Sequence, residues 1–468
     1  MSKVKNFAKS TIIYFVGNVL IKLVTFILLP ITTTHINQSE LGYYDTSTNT
    51  VSFFGMFIFV NIWSVVLRSM YDFKSKNEKY FAVNNGIFFF VISLILFTIS
   101  FAIFSYYFSV QYLLYIYMFG LLTILHYFYG NIVRGFGLNF VYMISGVVSS
   151  FVNLILTYIL LVKFNFGIEA LYLGVTIGYF VQILIIEFKI KLLSNFHLSD
   201  INIDYLLMYI KFSIPLSVIT ILTWFLDGYN RLYISRNLGY SANGLYSVAG
   251  KFSGMLFLVS SSIILAWQEL AFYSAGQYKE DEKSQTYKIA IESYIYYMSL
   301  GMSLLFPVIS IVFPILINQE FYGAYVLIPP HMLATSLSVL MNFLSQIFYA
   351  DRSSLKVMVA YLVSSVVNFL FLPIAIYFFS IQGSSFSMIL AYLVGISLLL
   401  FIANKNVKLS FFNSKMVFIV IAASLSLFLF YINNLYLNII FIICVGLIAL
   451  YINRDMFFVI IKKNNNNR

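Results

Sequence analysis

The sequence predicts an all-α, polytopic membrane protein of about 14 transmembrane helices. Three observations predict it. Of 468 residues, 61% are hydrophobic and 10% are charged, whereas a soluble domain carries about a quarter charged residues. A soluble chain of this composition lacks the polar groups to cover its surface. Apolar runs of about 20 residues, the length that crosses a bilayer, recur from end to end. The basic residues fall almost wholly in alternate connections between those runs.

The predicted spans lie near 10–32, 46–67, 81–105, 111–132, 141–162, 167–187, 210–232, 243–266, 290–317, 327–349, 356–379, 383–403, 414–431 and 435–453. The first apolar run, Thr11 to Ile31, is too long for a signal-peptide core and lacks a small-residue cleavage site, so it is expected to stay as a span. The second is interrupted by the polar run Thr46–Thr50. With this count both termini fall on the cytoplasmic side. Lys163, Arg231 and Arg236 then lie outside, Lys22 and Lys251 lie within spans, and the remaining 23 of the 28 basic residues lie inside. A miscount of one span would reverse that bias downstream. The formal charge of +11 is thereby explained by inner loops rather than by nucleic-acid binding.

The outer connections are short. The longer inner ones are Arg68–Tyr80, Glu187–Tyr209 and Trp267–Lys288. The last contains the mixed-charge run Lys279–Lys283, expected to be a solvated connector, and the Asn464–Asn467 tail is expected to be disordered. No connection is long enough for a catalytic domain. The single cysteine, Cys444, cannot form an internal disulfide. No His, Cys and carboxylate cluster has metal-ligand spacing. There is no phosphate-binding GxxxxGK[ST] loop, so any transport draws on a gradient, on membrane potential or on product removal. No cofactor is expected.

The chain opens twice. An offset of 202 places Lys9 on Lys211, Gly42 on Gly244 and Tyr44 on Tyr246. Later, Val148–Leu154 (VSSFVNL) matches Val363–Phe369 (VSSVVNF) at an offset of 215. Each later copy is followed by a turn containing Gly167 or Gly383. Six spans repeated in the same orientation form a parallel repeat. The expected domains are a first lobe over 1–208, a second over 209–404, and two appended helices with a tail over 405–468.

Charges within spans carry the functional expectation, because intramembrane ionisable groups are rare and mark sites. Lys22 lies about ten residues, or about 15 Å, from the outer end of its span, too deep for easy snorkelling. It is expected to face a water-filled cavity and meet an anion, or else to pair within the bundle. Lys251, about eight residues into its span, is read in the same way. Asp227 and Arg231 share a helix face at i, i+4. They are expected to form a local ion pair near the outer end, with Asp227 the alternative site for a proton or cation. Arg68 and Arg134 stand at inner helix ends, as interface anchors or at an inner mouth. His126 is expected to be a packed polar residue. Asn18, Asn61, Asn153 and Asn368 are expected to bond between helices. Pro30, Pro215, Pro307, Pro314 and Pro373 are candidate kinks. Tyrosine and phenylalanine supply most of the 19% aromatic content and are expected in interfacial belts.

The chain resembles the polysaccharide flippases of the multidrug/oligosaccharidyl-lipid/polysaccharide exporter superfamily. The resemblance rests on Lys9–Pro30 (KSTIIYFVGNVLIKLVTFILLP), Glu40–Tyr44 (ELGYY), Asn243–Phe252 (NGLYSVAGKF) and Arg134–Gly135. It implies two six-helix lobes around a central cavity that opens alternately to each side of a bacterial cytoplasmic membrane. It also implies a substrate built on undecaprenyl pyrophosphate, a lipid-linked oligosaccharide made inside and turned outward. Lys22 and Lys251 would then be counter-charges for the pyrophosphate. Partner enzymes of surface-polysaccharide assembly, such as a polymerase, belong to the same expectation. An ion-coupled drug or metabolite exporter of the same superfamily is the alternative, and Asp227 is the residue that would serve it. A membrane glycosyltransferase, ligase or polymerase needs catalytic groups on large loops, which the short outer connections do not supply.

Overall fold

The computed structural model describes residues 2–73, 75–277, 280–351, 353–403 and 414–452. Lys74, Lys279, Arg352, Lys405, Lys408, Arg454 and the Asn464–Asn467 tail lie outside the described residues. So do the side chains of Lys9, Asn18 and Pro215.

Among the described residues every regular element is helical. The helices are α1 (Ser2–His35), α2 (Gln38–Phe59), α3 (Ile62–Met70), α4 (Lys76–Tyr107), α5 (Leu113–Gly135), α6 (Asn139–Val162), α7 (Glu169–Ile190), α8 (Ile203–Asn237), α9 (Tyr240–Gln277), α10 (Glu280–Leu316), α11 (Ile328–Ala350), α12 (Ser354–Phe379), α13 (Ile381–Ala403), α14 (Ser414–Ile432) and α15 (Leu435–Ile452). Taking α2 and α3 together, they answer one for one to the 14 predicted spans. Nine are long and apolar enough to cross a bilayer, ten with the bent pair α2/α3. The chain is a multi-pass membrane protein.

Three sequence expectations need correction. The second span begins at Gln38, eight residues earlier than expected. Asn37 caps it in a reciprocal box, its side chain accepting from the Glu40 N–H while Glu40 accepts from the Asn37 N–H. The polar run Thr46–Thr50 is therefore inside the helix. Thr46, Thr48 and Thr50 satisfy their hydroxyls on backbone carbonyls one turn back, which lets such residues stay in a helix. Second, the expected loop Trp267–Lys288 is mostly helix, because α9 and α10 run 38 and 37 residues, well past the membrane. Third, the sharp break is not at a proline. Val60 and Asn61 take left-handed φ of 43° and 54°, and α3 leaves α2 at 52°. Asn61 Nδ2 donates to Thr220 Oγ1 on α8 at 2.7 Å, which holds the break in place. Pro30, Pro307, Pro314 and Pro373 all lie within continuous helices.

The chain divides into two compact units, Met1–Ser247 with Tyr361–Ala391, and Val248–Ala360 with Tyr392–Arg468. In the first, α6 packs on α7 and α1, α5 on α7, and α2 on α8 and α5. Its core gathers Phe59, Val66, Met70, Phe97, Phe128, Tyr172 and Tyr209 from α2 to α8. Two faces of this unit can be told apart. At the predicted outer face, Tyr43 Oη donates to the Gln111 carbonyl in the α4–α5 turn. At the other face the connection after α7 is ordered. The Tyr80 hydroxyl donates to the Ile190 carbonyl, and Asn84 and Asn85 bond to Asp200. Asn368 on α12 bonds to Asn230 on α8 and receives Ser387 of α13. The intramembrane asparagines Asn61 and Asn368 thus bond between helices as expected.

In the second unit, α10 packs against α14, α15 and α11. The Trp267 indole stacks on Phe343 at 4.7 Å and donates to its carbonyl at 2.9 Å. Tyr325 stacks on Phe430 at 4.1 Å and donates to its carbonyl. Lys283 pairs with Asp351 at 2.8 Å between α10 and the end of α11.

Candidate functional site

The site grows from two glycines. Gly42 of α2 and Gly244 of α9 let two helix backbones touch. A methyl group at Gly42 would overlap the Tyr240 carbonyl oxygen, and one at Gly244 would overlap the Gln38 carbonyl oxygen. These contacts are reciprocal under the 202-residue offset: Gln38 corresponds to Tyr240, and Gly42 to Gly244. The internal repeat is therefore a physical pseudo-two-fold contact at this point. The same offset carries Asp45 onto Ser247, and these two meet: Ser247 Oγ donates to Asp45 Oδ1 at 3.0 Å.

Around that contact a polar network closes. Arg231 of α8 donates from Nη1 to Asp45 Oδ2 at 2.6 Å, and both side chains are about a tenth exposed. Asn243 Nδ2 bonds to Asp45 Oδ2 at 3.2 Å, to Thr46 Oγ1 at 2.9 Å and to the Gly42 carbonyl at 3.0 Å. Thr46 also bonds to Ser235. The Arg231 guanidinium lies over the Tyr246 ring at 5.5 Å, a cation–π contact that favours a desolvated cation. At the rim, Ser241 donates to Gln38 Oε1. A carboxylate sharing an arginine, an amide and a hydroxyl is well satisfied in a dry place, whereas its arginine alone would not be.

The expected pair of Asp227 and Arg231 is present, with Arg231 Nε 3.6 Å from Asp227 Oδ1 and Asp227 45% exposed. The stronger partner is Asp45, which the expected spans place in an outer connection. The repeat pointed to it, because Asp45 falls on Ser247 within the motif already aligned.

The other expected residues are not gathered here. Lys22 is exposed on α1 beside Leu23 and Ile27, which are also exposed. Lys251 is exposed on α9 in the second unit. Arg68 pairs with Asp72 at 2.8 Å on an open surface, the side chains 74% and 63% exposed, an arrangement worth about 0–1 kcal/mol. Arg134 lies over the Tyr142 ring at 5.7 Å, and next to it Lys79 donates to the Gly135 carbonyl. His126 is packed as expected, stacked on Tyr179 at 4.3 Å. It borders a cavity of about 150 Å³ with Gln182, Tyr142 and Gly17. Among the described residues no group of His, Cys, Asp and Glu is placed to hold a metal ion.

No family model matches the chain, and no curated protein matches it in sequence. Solved structures do match by fold. A lipid II flippase, MurJ, in an inward closed conformation superposes with a TM-score of 0.70 at 15% identity, over 96% of this chain and 100% of that one. A multidrug resistance MATE transporter in an inward-facing conformation gives 0.57 at 13% identity, over 83% and 93%. A Vibrio cholerae MATE transporter gives 0.53 at 13%, over 89% and 99%. The chain shares its fold with these flippase and transporter structures.

Proposed function

We propose that the protein translocates an undecaprenyl-pyrophosphate-linked oligosaccharide from the inner to the outer leaflet of a bacterial cytoplasmic membrane, for surface-polysaccharide synthesis. The likeness in fold to a lipid II flippase along nearly the whole chain carries this reading. Lys22 and Lys251 are the counter-charges for the pyrophosphate, a dense anion that needs cations to leave water. The chain works as two six-helix lobes, 1–208 and 209–404, with 405–468 appended and both termini in the cytoplasm. The Asp45–Arg231 network then lies on the outer side, where it holds α2 to α8 and α9. Outward release requires that network to open, so it acts as an outer latch in alternating access. Assembly enzymes such as a polymerase take up the product outside.

The half-exposed Asp227 beside Arg231 favours a second reading, an ion-coupled exporter of drugs or metabolites. Deleting the gene and extracting lipid-linked oligosaccharides separates the two. Complete repeat units accumulating on the carrier lipid, with surface polysaccharide lost, support the flippase. Extracts without accumulation, from cells newly sensitive to cationic drugs, establish the exporter instead.

A further inference from the structure

A cavity of about 350 Å³ sits in the first unit between α2, α4, the start of α5 and the ends of α8 and α9 that meet at Tyr240. Its lining is mainly apolar, with Phe54, Ile58, Phe97, Phe101, Phe104 and Ile116 among the contributors. The hydroxyls of Thr46, Ser47 and Thr50 form a strip along α2, and each already bonds to the backbone of its own helix. No charged side chain lines it. Tyr43 closes one end by its bond to the Gln111 carbonyl and its edge contacts with Tyr112 and Tyr240.

A void of this size within the membrane-spanning part is costly to leave empty, since lost packing grows with volume. Water is a poor filler for it, because most of its wall is hydrocarbon. The flank it opens on is hydrocarbon-facing. Phe54 and Phe104 meet at 5.7 Å between α2 and α4, and Phe57, Ile99 and Ile103 on the same two helices are all more than half exposed. At roughly the ~30 Å³ that one water occupies in the liquid, the cavity has room for a chain end of about a dozen methylene-sized groups. It has no room for a whole polyprenyl tail. We propose that this cavity takes the end of one acyl chain of a phospholipid from the leaflet next to Tyr43, entering between α2 and α4 as the Phe54 and Phe104 rings swing apart. The site does not depend on what the protein transports. Its wall Thr46 also belongs to the polar network around Asp45, so the bound chain packs directly against α2 at the latch.

The test is photolabelling of the full-length protein in nanodiscs of phosphatidylglycerol, with a phosphatidylglycerol probe carrying a diazirine at the end of one chain. Label concentrated on peptides 43–58 and 97–116 is expected, with a several-fold drop in Ser100→Trp, which fills the cavity from α4. Ser105→Trp, on the same helix but away from the cavity, is expected to label like the parent chain. Label spread evenly over all lipid-facing helices, or unchanged in Ser100→Trp, overturns the proposal. Displacement of the label by undecaprenyl phosphate, but not by added unlabelled phosphatidylglycerol, also overturns it, by assigning the cavity to a carrier tail. Export measured in Ser100→Trp cells reports separately on the transport reading.

Discussion

Asp45 and Arg231 are worth most as a pair. Removing only the Asp45 carboxylate leaves the buried guanidinium with the half-exposed Asp227, 3.6 Å away, as its remaining acid; breaking one side of a buried pair typically costs about 3–5 kcal/mol. Asp45→Ala is therefore expected to lower the thermal midpoint of the purified protein sharply. Asp45→Ala combined with Arg231→Met is expected to recover most of that loss, read by the same thermal scan. A double variant no more stable than Asp45→Ala would show that the carboxylate acts through other partners. The lysines make a different prediction. Lys22→Ala and Lys251→Ala are expected to reduce surface glycan with protein level unchanged, and arginine at either position to retain part of it, because a phosphate needs charge more than shape. Normal glycan in both alanine variants would end the counter-charge reading. Asp45 was illegible to a hydropathy window, since it falls just before the polar run Thr46–Thr50 with which the expected span opens. Its partner stands 186 residues away, a distance across which no local pattern speaks. The helix start carried a signal that an apolar count passes over: Asn37 followed by Glu40 is the residue pair of a capping box.

At the scale of elements, the break between α2 and α3 matters most. Val60 is β-branched and sits at a φ of 43°, where such residues are strained by about 1–3 kcal/mol. Val60→Gly is expected to raise the thermal midpoint while keeping the bend, because Asn61 still bonds to Thr220. Asn61→Leu is expected to lower it, losing both that bond and a side chain that tolerates left-handed backbone. A fall in stability for Val60→Gly would place the strain elsewhere. The number and order of spans were legible because about 20 apolar residues leave a plain signal. The lengths of α8, α9 and α10 were not. The α10 extension is polar and the α8 and α9 extensions mix polar with apolar residues, so none of them continues the unbroken apolar run that marks a span.

For the molecule as a whole, the proposed alternating access requires the contact at Gly42 and Gly244 to open and close. Gln38→Cys with Ser241→Cys, in a chain whose Cys444 is replaced by serine, places two thiols where Ser241 and Gln38 now bond. Oxidation is expected to join them and stop export, and reductant to restore it. Export that continues with the bond formed would mean that this contact never opens during the cycle. The repeat behind this contact was visible in the sequence as a handful of matched positions. What it does in space was not, because an offset of 202 says that two segments are alike and not that they touch.

That contact also says why the two halves had to become unlike. On a two-fold axis a side chain meets its own counterpart. If the halves were identical there, Asp45 would face a second aspartate in a place with almost no water, and the two would repel. A serine in the second copy turns the repulsion into a donated proton, and an arginine where the first half has Leu29 supplies the charge that lets the acid stay. Two identical chains joined along this axis cannot hold such a network, since each copy would need to be acid and donor at once. A single chain carrying both halves can.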